Sequence, residues 1–182
     1  VDLLIGANLA DGAGLSSGEA YLLYGADLVA ADLADGTTDG VVGLDQITAV
    51  AGLGGTTGYK FVGAVAGDAA GLSVASAGDV DGDGQADLLI GANAADGGGS
   101  ASGEVYLVYG ADLAAADAAD DTFAGTTDGV INLSNVTADS GPGSFAGYQI
   151  IGTKAGDAAG FSVASSGDVD GDGFADLLIG AN

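Results

Sequence analysis

Two nine-residue segments carry aspartates at alternating positions with glycines between them. Residues 79–87 read DVDGDGQAD and residues 168–176 read DVDGDGFAD, so each places carboxylates at positions 1, 3, 5 and 9. Glycines at positions 4 and 6 permit the sharp turn that points these side chains inward together. Calcium takes six to eight oxygen ligands in flexible geometry, which such a loop can supply. The predicted ligands are Asp79, Asp81, Asp83, Asp87, Asp168, Asp170, Asp172 and Asp176, with backbone carbonyls from Gln85 and Phe174.

Other interpretations of these loops were weighed against calcium. An EF-hand would place a bidentate Glu at position 12, but Ile90 and Ile179 stand there. Magnesium prefers fewer protein ligands and a stricter octahedron. A metal-free cluster of turn aspartates would leave four carboxylates repelling one another within nine residues. We therefore predict calcium, and Asp2 is expected to be the last ligand of a third loop whose first eight residues lie outside the chain.

The charge of the chain excludes several classes of function. Two lysines face 26 acids, for a net charge of −24, and all the acids except Glu19 and Glu104 are aspartates. Such a surface repels nucleic acids and acidic membranes, so neither is an expected partner, and no apolar run is long enough for a membrane span. The absence of His and Cys removes the usual general bases and thiol nucleophiles. We predict that the chain is not an enzyme.

Weaker candidates recur between the loops. Aspartates repeat in the AGDAAG segments and after GAN; they could form accessory calcium sites but are more often turn residues, and they are Asp11, Asp68, Asp96 and Asp157. Asn132 and Asn135 begin glycosylation sequons, a pattern that often arises by chance.

The loops belong to a long internal repeat. The heptapeptide DLLIGAN occurs at residues 2–8, 87–93 and 176–182, at offsets of 85 and 89 residues. We predict one repeat over residues 1–86, a second over 87–175 and the start of a third over 176–182. Each repeat contains short apolar, alternating or aromatic segments separated by Gly, Asp, Asn and Ser, which is typical of strands joined by turns.

The strands predict an all-β fold of tandem four-stranded antiparallel units, with two repeats plus one extra strand and open ends. The Ala/Asp-rich stretch from Ala111 to Gly129 could form a helical turn. Its acids show no spacing along a single face, so we predict a solvated excursion rather than a helix.

The loop followed by DLLIGA, with a Gly-Leu-Ser or Gly-Phe-Ser strand before it, resembles the FG-GAP repeats of the integrin α-subunit β-propeller family, in their long bacterial form. Gly160-Phe161-Ser162 carries the Phe-Gly element in reversed order, and Asn93 and Asn182 stand where Pro is usual in Gly-Ala-Pro. The resemblance implies blade-like units, calcium in the loops, no catalytic residues and a role in adhesion. Two repeats cannot close a propeller of four to eight blades.

These observations predict a non-catalytic calcium-binding structural module, secreted or at the cell surface of a bacterium or archaeon. Calcium-dependent modules of this kind function where calcium is plentiful, which is outside cells. Open sheet ends favour end-to-end association with other copies or with neighbouring repeats, in an array or filament. The alternative is a ligand-binding adhesion propeller of which this chain is a fragment, with an extracellular ligand as partner.

Overall fold

A computed structural model describes residues 2–47, 57–120, 128–136 and 146–182. The predicted all-β fold is confirmed, since short strands make up most of the regular structure. The strands are β1 (Leu3–Ala7), β2 (Glu19–Leu23), β3 (Gly58–Val62), β4 (Ala70–Gly78), β5 (Asp87–Ala92), β6 (Glu104–Val108), β7 (Val130–Asn132), β8 (Gly147–Ile151), β9 (Ser162–Gly167) and β10 (Asp176–Gly180). Two α-helices, α1 (Leu28–Asp32) and α2 (Leu113–Asp120), each follow a short 3-10 turn.

The second sheet is the predicted four-stranded antiparallel unit, in the order β4-β5-β6-β8. Its strands pair antiparallel throughout, with Ile90 opposite Val74 on one side and Tyr106 on the other. Both β5 and β6 are buried along their whole length, which explains why their sequences are continuous apolar runs rather than alternating ones. The repeat boundaries stay predictions; this sheet joins β4 from before the boundary at 86/87 to β5 from after it.

The first sheet has the order β1-β2-β3-β7, and its last strand comes from the other repeat. Strands β1, β2 and β3 pair antiparallel, as predicted. Strand β7 lies between β6 and β8 in the chain but pairs parallel with β3, with Phe61 opposite Ile131. The sequence analysis did not identify β7. A parallel strand from the second repeat therefore covers the outer edge of the first sheet.

The third sheet is the pair β9-β10, which are joined by the second aspartate loop. Strand β4 packs against both β1 and β9, so the second sheet lies between the other two. The sheets approach closely at glycines: a Cβ on Gly6 would lie 2.0 Å from the carbonyl oxygen of Gly71, and one on Gly91 would lie 2.3 Å from that of Gly160. This contact gives the glycine of the first two DLLIGAN segments a structural reason.

The Ala/Asp-rich stretch is a correction to the sequence analysis. Helix α2 occupies its first half, whereas a solvated excursion had been favoured; residues 121–127 lie outside the described residues. Leu113, Ala116 and Asp117 are buried, at the i, i+3, i+4 spacing of one helix face. The Asp117 carboxylate is fully buried and accepts the backbone N–H of Gly129 at 3.1 Å. The prediction was wrong because it looked for a polar face among the acids, whereas Asp117 lies on the buried face.

A buried glutamate recurs in β2 and β6, with a different partner in each repeat. Glu19 and Glu104 are each 6% exposed and each accepts the hydroxyl of a tyrosine two residues later. Lys60 Nζ lies 2.6 Å from Glu19 Oε1, while Gln149 Nε2 donates to Glu104 Oε2 at 2.8 Å. Lys60 and Gln149 occupy equivalent positions, so the chain itself shows that an amide can replace the ammonium group.

This pair predicts unequal costs for two substitutions at Lys60. Lys60→Ala removes a donor from a buried carboxylate and should lower the free energy of unfolding by about 1–2 kcal/mol. Lys60→Gln should cost less than half as much, because glutamine can donate to Glu19 as Gln149 donates to Glu104. Urea unfolding at fixed calcium concentration measures both. Equal costs for the two variants would show that the lysine acts through its charge rather than as a donor.

Candidate metal centre

The first aspartate loop connects β4 to β5 and is closed by its own carboxylates. The backbone N–H groups of Gly82 and Gly84 donate to the two oxygens of Asp79, at 2.7 and 3.0 Å. Asp81 and Asp83 each accept the N–H two residues further on, at 3.1 and 2.7 Å. These are Asx turns, which hold the side chains on the inner side of the loop. Oxygens of Asp79, Asp81 and Asp83 come within 4.8 Å of one another.

Asp87 has a different position from the other three predicted ligands of this loop. Its carboxylate is fully buried and accepts the N–H groups of Val80 at 2.8 Å and Gly110 at 3.0 Å. Burial raises its pKa, the two backbone hydrogen bonds oppose that rise, and the charges of Asp81 and Asp83 add to it. The Asp87 carboxylate lies outside the group formed by Asp79, Asp81 and Asp83. Asp87 thus connects the end of the first loop to Gly110, at the start of the 3-10 turn after β6. Its role as a ligand stays a prediction.

The second loop, between β9 and β10, repeats the same arrangement. Asp168 accepts the N–H groups of Gly171 and Gly173, at 2.7 and 3.0 Å. Here the carboxylate oxygens within 4.8 Å of one another belong to Asp168, Asp170 and Asp176. Asp172 lies outside the group and accepts the N–H of Phe174 at 2.9 Å. Each loop therefore gathers three of its four predicted carboxylates, and the fourth differs between them.

Asp2 has the position that repetition predicts. Its carboxylate accepts the N–H of Gly25 at 2.9 Å, as Asp87 accepts that of Gly110, in both cases 23 residues later in the chain. Among the described residues it is not part of a carboxylate group. Its predicted role, as the last ligand of a third loop, stays a prediction.

Position 7 of the second loop contacts the first loop. A Cβ placed on Gly82 would meet the ring of Phe174 at 2.4 Å, and the N–H of Ala175 donates to the carbonyl oxygen of Asp79 at 2.8 Å. The sequence analysis missed this contact, because it gave position 7 only a backbone carbonyl role. The two loops are therefore neighbours. The predicted carbonyl ligands at Gln85 and Phe174 remain predictions.

The weaker aspartates make the contacts of turn residues. Asp11 and Asp96 each accept the N–H five residues later at 2.7 Å, and Asp68 and Asp157 each accept the N–H three residues earlier at 3.0 Å. None of them belongs to a group of three carboxylates in the described part of the chain. Burial raises the pKa of Asp68, and the charges of Glu104 and Asp96 raise it further.

The donor set of each loop fits a hard divalent cation. Three carboxylates about 5 Å apart repel one another by about 1 kcal/mol per pair even at the dielectric constant of water. A carboxylate oxygen has two lone pairs, so it can accept a backbone N–H and contact a cation at once. The chain's only cationic side chains, Lys60 and Lys154, lie outside both loops. The two clusters could therefore hold a metal ion.

Both loops lie in segments that match the model of a known family. A family model described as FG-GAP repeat matches residues 70–108 and 159–182. These two segments are similar to FG-GAP repeats. The first match spans β4, the first loop, β5 and β6, and the second spans β9, the second loop and β10, so both aspartate clusters lie inside the matched segments. The resemblance inferred from the sequence is confirmed, and with it a β-propeller-type unit.

The search of curated proteins returned no match. FG-GAP repeats are generally non-enzymatic, often bind calcium and are typical of extracellular proteins. Helices with the length and apolar character of a membrane span are absent from the described part of the chain.

Proposed function

We propose that this chain is a non-catalytic structural module that binds calcium in its two FG-GAP loops, belongs to a secreted or cell-surface protein, and associates with other copies or neighbouring repeats into an array. The observation that carries the proposal is that two loops 89 residues apart, closed by the same backbone hydrogen bonds to Asp79 and Asp168, each gather three carboxylates. A dense anionic cluster with no lysine or arginine beside it is stable when a cation neutralises it.

Calcium is favoured over other cations by the chemistry of the donors. Each loop offers carboxylates and backbone carbonyls, which are hard oxygen ligands, and no thiol or imidazole exists in the chain to select zinc or copper. A loop of nine residues with two glycines adjusts to the longer and more variable distances of calcium more readily than to the rigid octahedron of magnesium. Extracellular modules bind calcium with affinities of about 10⁻⁴–10⁻³ M, and we expect affinities in this range here.

The experiment that tests the proposal is a calcium titration of the metal-free chain by calorimetry. We expect two calcium ions per chain. Asp81→Ala and Asp170→Ala should each remove one, because each substitution takes a carboxylate from a different cluster. The double variant should bind none.

A matched control separates the loops from the general acidity of the surface. Asp45 is exposed and lies outside both loops, so Asp45→Ala should leave two ions per chain. Unchanged stoichiometry in the Asp81→Ala and Asp170→Ala variants would contradict the proposed sites, and so would equal loss in the Asp45→Ala control.

A further inference from the structure

Strands β3 and β8 are equivalent in the two repeats, but only one of them is covered. Residues 58–62 of β3 and 147–151 of β8 are 89 positions apart; β3 pairs antiparallel with β2, and β8 pairs antiparallel with β6. Strand β3 also pairs with β7, whereas in the described part of the chain β8 has a partner on one edge alone. An uncovered edge of this kind is a template for pairing with another strand.

Side chains on β8 are exposed where their equivalents on β3 are buried. Tyr148 is 58% exposed, while its equivalent Tyr59 is 6% exposed. The two tyrosines have the same local setting, since Tyr59 stacks edge-on against Tyr24 at 6.2 Å and Tyr148 against Tyr109 at 6.1 Å. Tyr59 belongs to a buried cluster that includes Ile131 of β7, Leu133 and Leu88 of the second sheet, so β7 and the second sheet together account for its burial. Ile151 is likewise more exposed than its equivalent Val62, at 44% against 7%.

The complementary surface is on the first repeat. We define the first cap as α1 together with residues 41–47, and the second cap as α2 together with residues 130–136. The first cap is the equivalent of the second and ends in the same kind of 3-10 turn, at Leu44–Gln46 and Leu133–Asn135. Leu28 is 38% exposed where its equivalent Leu113 is 5%, and Val41 is 62% exposed. Leu44 is half-buried where Leu133 is buried.

We infer that the first cap of one copy binds the β8 edge of a second copy, with residues 41–43 pairing parallel to β8 in the register that β7 takes on β3. Gln149 then lies opposite Val41, as Lys60 lies opposite Val130. This inference rests on the proposed function, because it names the surfaces through which the proposed array forms. The contact is head-to-tail, so a pair of copies keeps one free first cap and one free β8 edge and the assembly can grow.

In this docking, β1 of the incoming copy and β10 of the receiving copy would occupy the same position. The incoming first sheet must stand where β9 and β10 of the receiving copy lie, next to its second sheet. Strands β10 and β1 lie within identical DLLIGAN segments, so β10 can pair with the incoming β2 in the place of the incoming β1. The product is a four-stranded sheet β9-β10-β2-β3, with the first two strands from one copy and the others from the next. Its order is that of β4-β5-β6-β8.

Because the chain has no cysteine, introduced thiols can test this register without background cross-linking. Two single variants of the 182-residue chain, Val41→Cys and Gln149→Cys, are mixed in saturating calcium and treated with a short bis-maleimide. We expect a covalent heterodimer at least about tenfold above the yield of Val41→Cys mixed with Leu15→Cys, because a docked pair holds its thiols at an effective concentration far above that of free chains. Leu15 is 76% exposed and lies outside both surfaces. In the intrachain double variant Lys60→Cys/Val130→Cys the two thiols lie opposite each other, so its cross-linking yield is the reference for this register.

The outcomes separate this inference from the calcium proposal. A Val41–Gln149 yield no higher than that of the Leu15 control, in a chain that binds two calcium ions, overturns the interface and leaves the calcium sites intact. Cross-linking at the predicted yield in a chain that binds no calcium supports the interface and overturns the sites. As a second measurement, Val41→Asp should abolish the association seen in sedimentation, while Leu15→Asp, at an exposed position outside both surfaces, should leave it unchanged.

Discussion

Removing calcium should lower the melting temperature of this chain by roughly 10–20 °C. If each of the two sites is at a hundred times its dissociation constant, binding stabilises the folded state by about 2.7 kcal/mol per site. In a chain of this size each kcal/mol shifts the melting temperature by roughly 2–4 °C. The measurement is circular dichroism during heating, with calcium in excess and then with EGTA. The effect should be large because the loops join the central strands β4 and β9 to β5 and β10.

The control for this experiment is the double variant Asp81→Ala/Asp170→Ala. It should melt at one temperature with or without calcium, since each cluster has lost a carboxylate. Replacing calcium with magnesium at the same concentration should restore little of the lost stability. An unfolding transition of the unsubstituted chain that is the same in calcium and in EGTA would refute the proposed role of the metal.

Gly103→Ala should destabilise the fold by more than about 3 kcal/mol, among the largest effects of any single substitution. Gly103 has a φ of +77°, and a Cβ there would lie 2.1 Å from the carbonyl oxygen of Ala159 and 2.2 Å from its nitrogen. These are backbone atoms of the strand connection that leads into β9, so they cannot rotate away as a side chain would. Urea unfolding in saturating calcium measures the loss.

Gly156→Ala is the matched control for that substitution. Gly156 has a φ of +84°, almost the same as Gly103, but no atom lies within 4 Å of a Cβ placed on it. Its cost should be that of the left-handed conformation alone, about 1–2 kcal/mol. The difference between the losses in free energy of unfolding of the two variants gives the part that is due to the close approach of the backbones. Equal costs would mean that the connection near Ala159 moves to accept a methyl group.

The contact between the loops adds a consequence for how calcium binds. Phe174 of the second loop lies against Gly82 of the first, and Ala175 donates to the carbonyl oxygen of Asp79. If calcium binds as proposed, an ion that orders one loop would order part of the surface on which the other rests. Such shared contacts would couple the two sites, so binding at one would raise the affinity of the other.

Much of this protein is determined by short-range sequence patterns. The aspartate loops follow from residues within nine positions of one another, because Asx turns and positive-φ glycines are local features. The strands β5, β6 and β10 follow from continuous or aromatic apolar runs, and the repeat follows from identity between segments. The family resemblance depends on the same residues, which is why the family match at residues 70–108 and 159–182 agrees with it.

The tertiary structure decided what depends on residues far apart in the chain. Val130–Asn132 is three residues long and has no periodic signal, and it forms a strand because β3 of the other repeat offers it an edge. Asp117 belongs to a helix because its carboxylate is buried against Gly129, which composition alone does not reveal. Asp87 and Asp172 have the same motif role as their neighbours but lie outside the carboxylate groups, since side-chain positions depend on which backbone N–H groups the packed sheets present. The sequence sets local conformation and donor chemistry; the packing of one repeat on the next sets which edges are covered and which carboxylates meet.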